Sequence, residues 1–273
     1  MDLSVAFERA AERLRGAGAI VVTAGAGMGV DSGLPDFRGD QGFWKAYPPY
    51  EKLGLSFMDA ANPQHFDQDP QFGWGFYGHR TNLYRATVPH RGFEILLRWA
   101  TERGLPCFAV TSNVDGQFQK AGFAEDRVLE VHGSIHHLQC TTPCSPAIWT
   151  NGETFEIELA TMRSRHVPRC PNCGVVSRPN ILMFGDWSWV DDRTAHQRQR
   201  FEEFLGDVNG LRPFVLELGA GTAVATIRHL TEQLGRTGAF VVRVNPREAD
   251  IRPPHLSIPA GALEAIAGID AAL

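Results

Sequence analysis

The side chains able to do chemistry in this sequence fall into a sulfur cluster and a few short polar runs that each end an apolar stretch. Cys140-Thr-Thr-Pro-Cys144 and Cys170-Pro-Asn-Cys173 are two knuckles separated by residues 145–169. Thiolates paired in turns suit tetrahedral zinc, and a closed four-sulfur shell is structural because it leaves no coordination place for water. Gly25, Gly27 and Gly29 alternate directly after the apolar run Ala19-Ile20-Val21-Val22. Lacking Cβ atoms, such glycines let backbone amides close on a pyrophosphate, although they also serve tight turns. The run continues through Ser32, Asp36, Phe37 and Arg38 to Gly39. That sequence of hydroxyl, carboxylate, aromatic and guanidinium is more than a plain turn requires.

Asn113 and Asp115 follow the apolar run Cys107 to Thr111, and His132 follows Val128 to Val131. In open parallel sheets the carboxyl ends of the strands face one crevice, so polar residues just past them converge. An Asx turn capping the next helix accounts equally well for Asn113 and Asp115. An imidazole titrating near neutrality can accept a hydroxyl proton, which singles out His132. His136 and His137 read as partly buried residues or as a frame for the metal module. Leu218-Gly-Ala-Gly-Thr-Ala-Val224 is a second strand-to-helix glycine turn, and Arg243-Val-Asn-Pro246 ends the next apolar run.

These loops need strands and helices to hold them. Leu3, Phe7, Ala10, Ala11 and Leu14 recur at helical spacing before Gly16 and Gly18, so the chain opens with a helix. Acidic Asp2, Glu8 and Glu12 argue against a presequence there. Strands are expected at Ala19 to Thr23, Cys107 to Thr111, Val128 to Val131, Ile181 to Phe184, Phe214 to Leu218 and Phe240 to Val244. Helices are expected around Phe72 to Tyr84, Phe93 to Trp99, Ala195 to Val208, Ala223 to Leu234 and Ala262 to Ala271. The Pro-, Gly- and aromatic-rich stretch from Asp40 to Pro70 reads as surface covering beside the glycine loop. Alternating strands and helices imply an α/β fold, a Rossmann-like parallel sheet covered by helices on both faces. Residues 1–137 and 180–273 would form that domain, with helical cover around 41–90 and an inserted zinc module at 138–179.

At 273 residues with a net charge of -5, the chain can bury a large core and lacks the basic excess of an extended nucleic-acid footprint. No apolar run reaches the roughly 18 residues of a membrane span. Five cysteines without a secretory signal favour a reducing, cytoplasmic setting and metal or thiol use over disulfides. Cys107, inside a strand, reads as core.

The stretch Thr23 to Gly39 resembles the sirtuin signature Gly-Ala-Gly-x-Ser-x-x-Ser-Gly-Ile-Pro-x-Phe-Arg-Gly, with Gly29 where most members carry serine. Thr111 to Gly122 is similar to Thr-Gln-Asn-Ile-Asp-Gly-Leu-His-x-x-Ala-Gly, with Ser112 and Phe118 as departures. Glu130-Val-His-Gly-Ser, Arg178-Pro-Asn-Ile-Leu-Met-Phe-Gly-Asp186, Gly219 to Thr222 and Asn245 match further family segments in order. Asp186, Ala223 and Arg228 stand where glutamate, serine and proline are common.

The resemblance implies an NAD-dependent protein deacylase that moves an acyl group from protein lysine to ADP-ribose and releases nicotinamide. It implies that Gly25, Ala26, Gly27, Asp36, Phe37, Arg38, Asn113, Asp115, Gly219, Gly221, Thr222 and Asn245 bind NAD. It makes His132 the catalytic base, with Asn113 ordering the nicotinamide ribose and a water. Phe184, Gly185 and Asp186 would offer an edge to an acyl-lysine protein or peptide. Tyr77 and Arg80, three apart on one helix, match a Tyr-x-x-Arg pair that binds acidic acyl groups in a minority of sirtuins. Packing with a snorkelling charge explains the same pair. An ADP-ribosyltransferase or NAD hydrolase on the same site, or a non-catalytic NAD or ADP-ribose sensor, are the alternative readings.

Overall fold

The computed structural model describes residues 2–35 and 39–273. The strands in chain order are β1 Ile20–Ala24, β2 Cys107–Thr111, β3 Val128–Glu130, β4 Gly133–Cys140, β5 Ile148–Thr150, β6 Ile157–Glu158, β7 Arg163–Ser164, β8 Ser177–Ile181, β9 Phe214–Leu218, β10 Phe240–Val244 and β11 Leu256–Ile258. Six of them form a sheet in the order β11-β10-β9-β1-β2-β3, every pair parallel. From β1 the chain runs outward through β2 and β3, then returns to β9 on the other side of β1. The order therefore reverses between β1 and β9, which opens a crevice at their carboxyl ends.

The helices in chain order are α1 Leu3–Arg15, four short ones from α2 Gly39–Ala46 through α3 Pro48–Lys52 and α4 Phe57–Ala60 to α5 Gln64–Gln68, α6 Pro70–Ala86, α7 Arg91–Arg103, α8 Gln117–Lys120, α9 Asp192–Asp207, α10 Thr226–Arg236 and α11 Ala262–Ala271. Strand residues alternate between two buried faces. Ile20, Val22 and Ala24 pack with Leu14 of α1, Leu96 of α7 and Ile266 of α11. Val21, Phe108 and Val215 pack with Phe201 and Phe204 of α9 and Ile227 of α10. Burial on both sides is why these strands read as continuous apolar runs rather than alternating ones.

A third core belongs to α2 to α6. Phe43, Tyr50, Phe66, Trp74, Phe76 and Tyr77 are all at most 1% exposed and pack together. Phe43 alone makes ring contacts with Tyr47, Tyr50, Phe57 and Phe76. The helical cover expected around 41–90 is thus a layer with an aromatic interior of its own. Its prolines and glycines interrupt the periodicity, so the burial of its rings was not visible in the sequence.

Two strand expectations need correction. The segment from Ile181 to Phe184 does not join the parallel sheet; β8 ends at Ile181 and pairs antiparallel with β4. The sixth parallel strand is instead β11, three residues that pair with β10 and are flanked by Pro253, Pro254 and Pro259. A run that short carries no periodicity to read. The boundary expected after residue 137 falls inside β4, which runs unbroken from Gly133 beside the main sheet to Cys140 in the metal knuckle.

Candidate active site

The crevice at the strand-order reversal opens into a cavity of about 570 Å³, a size typical of small-molecule sites. Its backbone wall is built by two glycine loops in contact. The Gly25 amide donates to the Leu218 carbonyl and the Gly27 amide to the Gly219 carbonyl, each at 3.0 Å. A Cβ on Gly25 would lie 2.8 Å from the Ala220 Cα, and one on Gly219 would lie 2.4 Å from the Gly27 Cα. Gly219 also has φ +60°, so glycine is required there on both counts. Gly25, Ala26, Gly219, Gly221 and Thr222 line the cavity, whereas Gly27 is buried behind it.

The loop after β2 crosses the crevice floor. Asn113 donates its side-chain amide to the Gly25 carbonyl at 3.0 Å, and its own backbone amide donates to the Thr111 hydroxyl at 3.0 Å. Asp115 is 7% exposed and accepts from the Gln117 backbone amide at 3.0 Å. Burial pushes its carboxyl up to about 6, with Glu130 adding to the rise and the Gln117 amide and Arg80 opposing it. His136 donates from Nε2 to the Asp115 carbonyl at 2.9 Å, so this histidine braces the loop. Phe118, where the family has histidine, is 2% exposed and packs on Phe93 and Phe123 away from the cavity. Ser112 does line the cavity.

His132 stands between β3 and β4, with its carbonyl accepting from the Leu182 amide at 3.0 Å. Its ring lines the same cavity as Asn113 and Asp115, and Nε2 lies 3.4 Å from the Thr226 hydroxyl. Burial holds the imidazole below its ordinary value of 6.5, a hydrogen bond to the Ser112 backbone opposing the shift. The ring is therefore neutral at working pH and able to take a proton.

Across the cavity stand Tyr77, Arg80 and Tyr84 of α6, with Phe57, Met183 and Phe184. The Arg80 guanidinium donates from Nε and Nη2 to the Tyr84 hydroxyl at 2.9 and 2.6 Å, and its carbon lies 5.1 Å from the Phe76 ring centre. Burial pushes the Tyr77 phenol up to about 12, Arg80 opposing, so its hydroxyl remains a donor.

Two expected ligand residues have side chains engaged within the protein. Asn245 is fully buried; it donates to the Ala220 carbonyl at 3.0 Å and accepts from the Arg247 and Glu248 amides at 3.0 Å, joining two loops rather than lining the cavity. Asp186 forms a buried ion pair with Arg178, side chains 0% and 1% exposed, so its carboxylate serves the loop rather than a ligand. Gly185 is exposed beside the lining residue Phe184. Asp36, Phe37 and Arg38 lie outside the described residues.

Arg247 and Glu248 line the cavity and were not singled out from the sequence. Glu248 accepts from the Thr222 amide and hydroxyl at 3.2 and 2.7 Å. A charged pair just past the carboxyl end of β10 was the available signal. Tyr84, one helical turn beyond Arg80, was likewise missed. Arg228 braces the same loops, donating to the Ala220 carbonyl at 3.1 Å and to the Glu248 carbonyl.

The four cysteines come together at the far ends of β4 and β8. Their sulfurs all lie within 4.8 Å of one another, with Cys140–Cys173 at 3.6 Å and Cys144–Cys170 at 3.7 Å. Zinc–sulfur bonds of about 2.3 Å in a tetrahedron place sulfurs about 3.8 Å apart, so this donor set fits a structural zinc.

A glycine-walled crevice at a strand-order reversal, joined to a four-thiol clamp, defines an α/β dinucleotide-binding protein with a structural metal module. Residues 25–203 match the Sir2 family model. The NAD-dependent protein deacylase 1 of Caldanaerobacter subterraneus subsp. tengcongensis is 31% identical over 261 residues, covering 94% of this chain and 95% of that protein. The chain belongs to the Sir2 family. In fold it is similar to a Sir2 homologue in complex with NAD, at TM-score 0.75 and 22% identity over 97% of this chain and 93% of the other. It is also similar to a Sir2 protein bound to a deacetylated p53 peptide and 3'-O-acetyl-ADP-ribose, at TM-score 0.64 and 22% identity over 95% of each chain.

Proposed function

We propose that the chain is an NAD-dependent protein lysine deacylase that transfers the acyl group to ADP-ribose and releases nicotinamide. The observation that carries this reading is the neutral His132 ring on the same cavity as Asn113, Asp115 and the two glycine loops. Binding alone needs no base at that place. Gly25, Ala26, Gly219, Gly221 and Thr222 would hold the dinucleotide, and the glycines leave room for its phosphates. Bound NAD supplies an electrophilic ribose carbon with nicotinamide as leaving group.

The chain's own residues do the rest. Asn113, tied to the Gly25 carbonyl, fixes the polar floor where the ribose would sit. Asp115 presents a carboxyl to the nicotinamide amide. His132 takes the hydroxyl proton that must leave before the sugar can accept the acyl group. The apolar side of the cavity, Phe57, Ile181, Met183 and Phe184, would house the acyl-lysine stem and exclude water. Within this proposal residues 1–137 and 180–273 hold the dinucleotide while 138–179 clamp the metal.

Tyr77 and Arg80 on the cavity wall favour a finer reading, in which an acidic acyl group such as succinyl is accepted. A guanidinium with a phenol donor beside it can bind a carboxylate. Mass spectrometry of products from acetyl- and succinyl-lysine peptides with NAD tests both levels. O-acyl-ADP-ribose supports deacylation, whereas free ADP-ribose or an ADP-ribosylated protein as sole product overturns it. Unchanged desuccinylation in Arg80→Met removes the acidic-acyl reading alone.

A further inference from the structure

Behind the cavity wall, one imidazole holds the loop that carries Asp115. Along β4 the partners on β8 step from Asn180, opposite Ser134, to Pro179, opposite Leu138. Ile135, His136 and His137 are therefore extra to that ladder, and a bulge of this kind frees backbone groups and re-aims side chains. Both effects are directed at the loop after β2. The Ile135 amide donates to the Val114 carbonyl at 3.0 Å, and His136 donates from Nε2 to the Asp115 carbonyl at 2.9 Å. The bulge thus pins the loop at consecutive residues.

The imidazole is itself held. The Asn151 backbone amide donates to the His136 carbonyl at 2.8 Å, and the Asn151 side-chain amide donates to the Ile135 carbonyl at 2.9 Å. Asn151 is 3% exposed, so a buried residue of the metal module fixes the bulge from behind. The ring lies against Gly116, where a Cβ would come within 2.6 Å of the His136 Cδ2. Asp115 is thereby fixed on two sides, its carbonyl by His136 and its carboxylate by the Gln117 amide at 3.0 Å.

We infer that His136 is a positioning residue for the nicotinamide half of NAD, acting through Asp115 without touching the cofactor. His136 does not line the cavity, whereas Asp115 does. The inference rests on the deacylase reading in giving the Asp115 carboxyl the nicotinamide amide as its partner. With the Nε2 donor removed, a carbonyl in this loop loses its partner and the neighbouring carboxyl loses its fixed direction. The loop from Gly219 to Thr222, which would hold the dinucleotide elsewhere, follows β9 and does not depend on this bond.

The test compares binding of NAD with binding of ADP-ribose, which lacks nicotinamide, by calorimetry on the wild type and three variants. His136→Phe keeps a ring on Gly116 and loses the donor, His136→Leu loses the donor on a smaller side chain, and His136→Gln keeps a nitrogen donor. The two variants without a donor should weaken NAD about tenfold and ADP-ribose less than about twofold, and His136→Gln should recover most of the NAD affinity. In steady-state nicotinamide release, His136→Phe should raise KM for NAD and leave KM for an acetyl-lysine peptide unchanged. A merely structural role would weaken both ligands alike, so equal losses overturn the proposal. Unchanged NAD binding in His136→Phe, or equal effects of phenylalanine and glutamine, overturn it as well. A wild type that binds both ligands but releases no nicotinamide with any acyl-lysine peptide overturns the deacylase reading alone, and the binding comparison still decides the role of His136.

Discussion

At the scale of single residues, environment decides what each titratable group can do. His132 is kept neutral by burial, so a base is present above its lowered value and lost as pH falls through it. The acid limb of kcat/KM is accordingly expected below 6.5, and His132→Ala should lower kcat about 10²- to 10⁴-fold with little change in Tm. Asp115 shows the opposite shift, from 3.8 to about 6. Its unfolded form ionises first, so folding stability contributed by this group is full below 3.8 and is lost as pH rises through 6. Asp115→Asn is therefore expected to be more stable than wild type above pH 6, by at most about 3 kcal/mol, and equal to it below pH 4. Urea unfolding at pH 4 and pH 8 measures this, and weaker NAD binding should accompany it.

At the scale of elements, the turn after β8 depends on a buried charge pair. Arg178 donates to both Asp186 oxygens, and the same carboxylate holds the Met183 and Ser188 amides. Removing one partner leaves an uncompensated buried charge, so Asp186→Ala should cost about 3–5 kcal/mol in urea unfolding. It should also raise peptide KM by loosening Phe184. The second element that transmits position is the β4–β8 pair. β4 starts one residue after His132 and ends at Cys140, while β8 runs from Ser177 near the knuckles to Ile181 at the cavity.

At the scale of the molecule, that strand pair joins the metal clamp to the active-site crevice. Stripping zinc with a strong chelator is expected to lower Tm and abolish deacylation together, although no cysteine lines the cavity. Elemental analysis should find one zinc per chain, and Cys170→Ser should reproduce the chelator's effect. Zinc loss with activity intact would show that the strands hold their places without the clamp.

The sequence by itself determined the doubly wound pattern, the order of the glycine, asparagine and histidine loops, and the paired cysteines. Those features are local: apolar runs mark buried strands, and the residues just past them lie at one sheet edge whatever the rest of the chain does. Only the tertiary structure decided which polar groups face the cavity and which are consumed in holding it. Asn245 and Asp186 match family site segments in sequence, and in the fold their side chains are committed to backbone amides, a carbonyl and a buried guanidinium. Tyr84 reads in sequence only as a helix residue and Glu248 as an ordinary charge, and both stand on the cavity wall. A side chain's partners come from segments far away in the chain, so its direction is a property of packing that residue type and spacing do not encode.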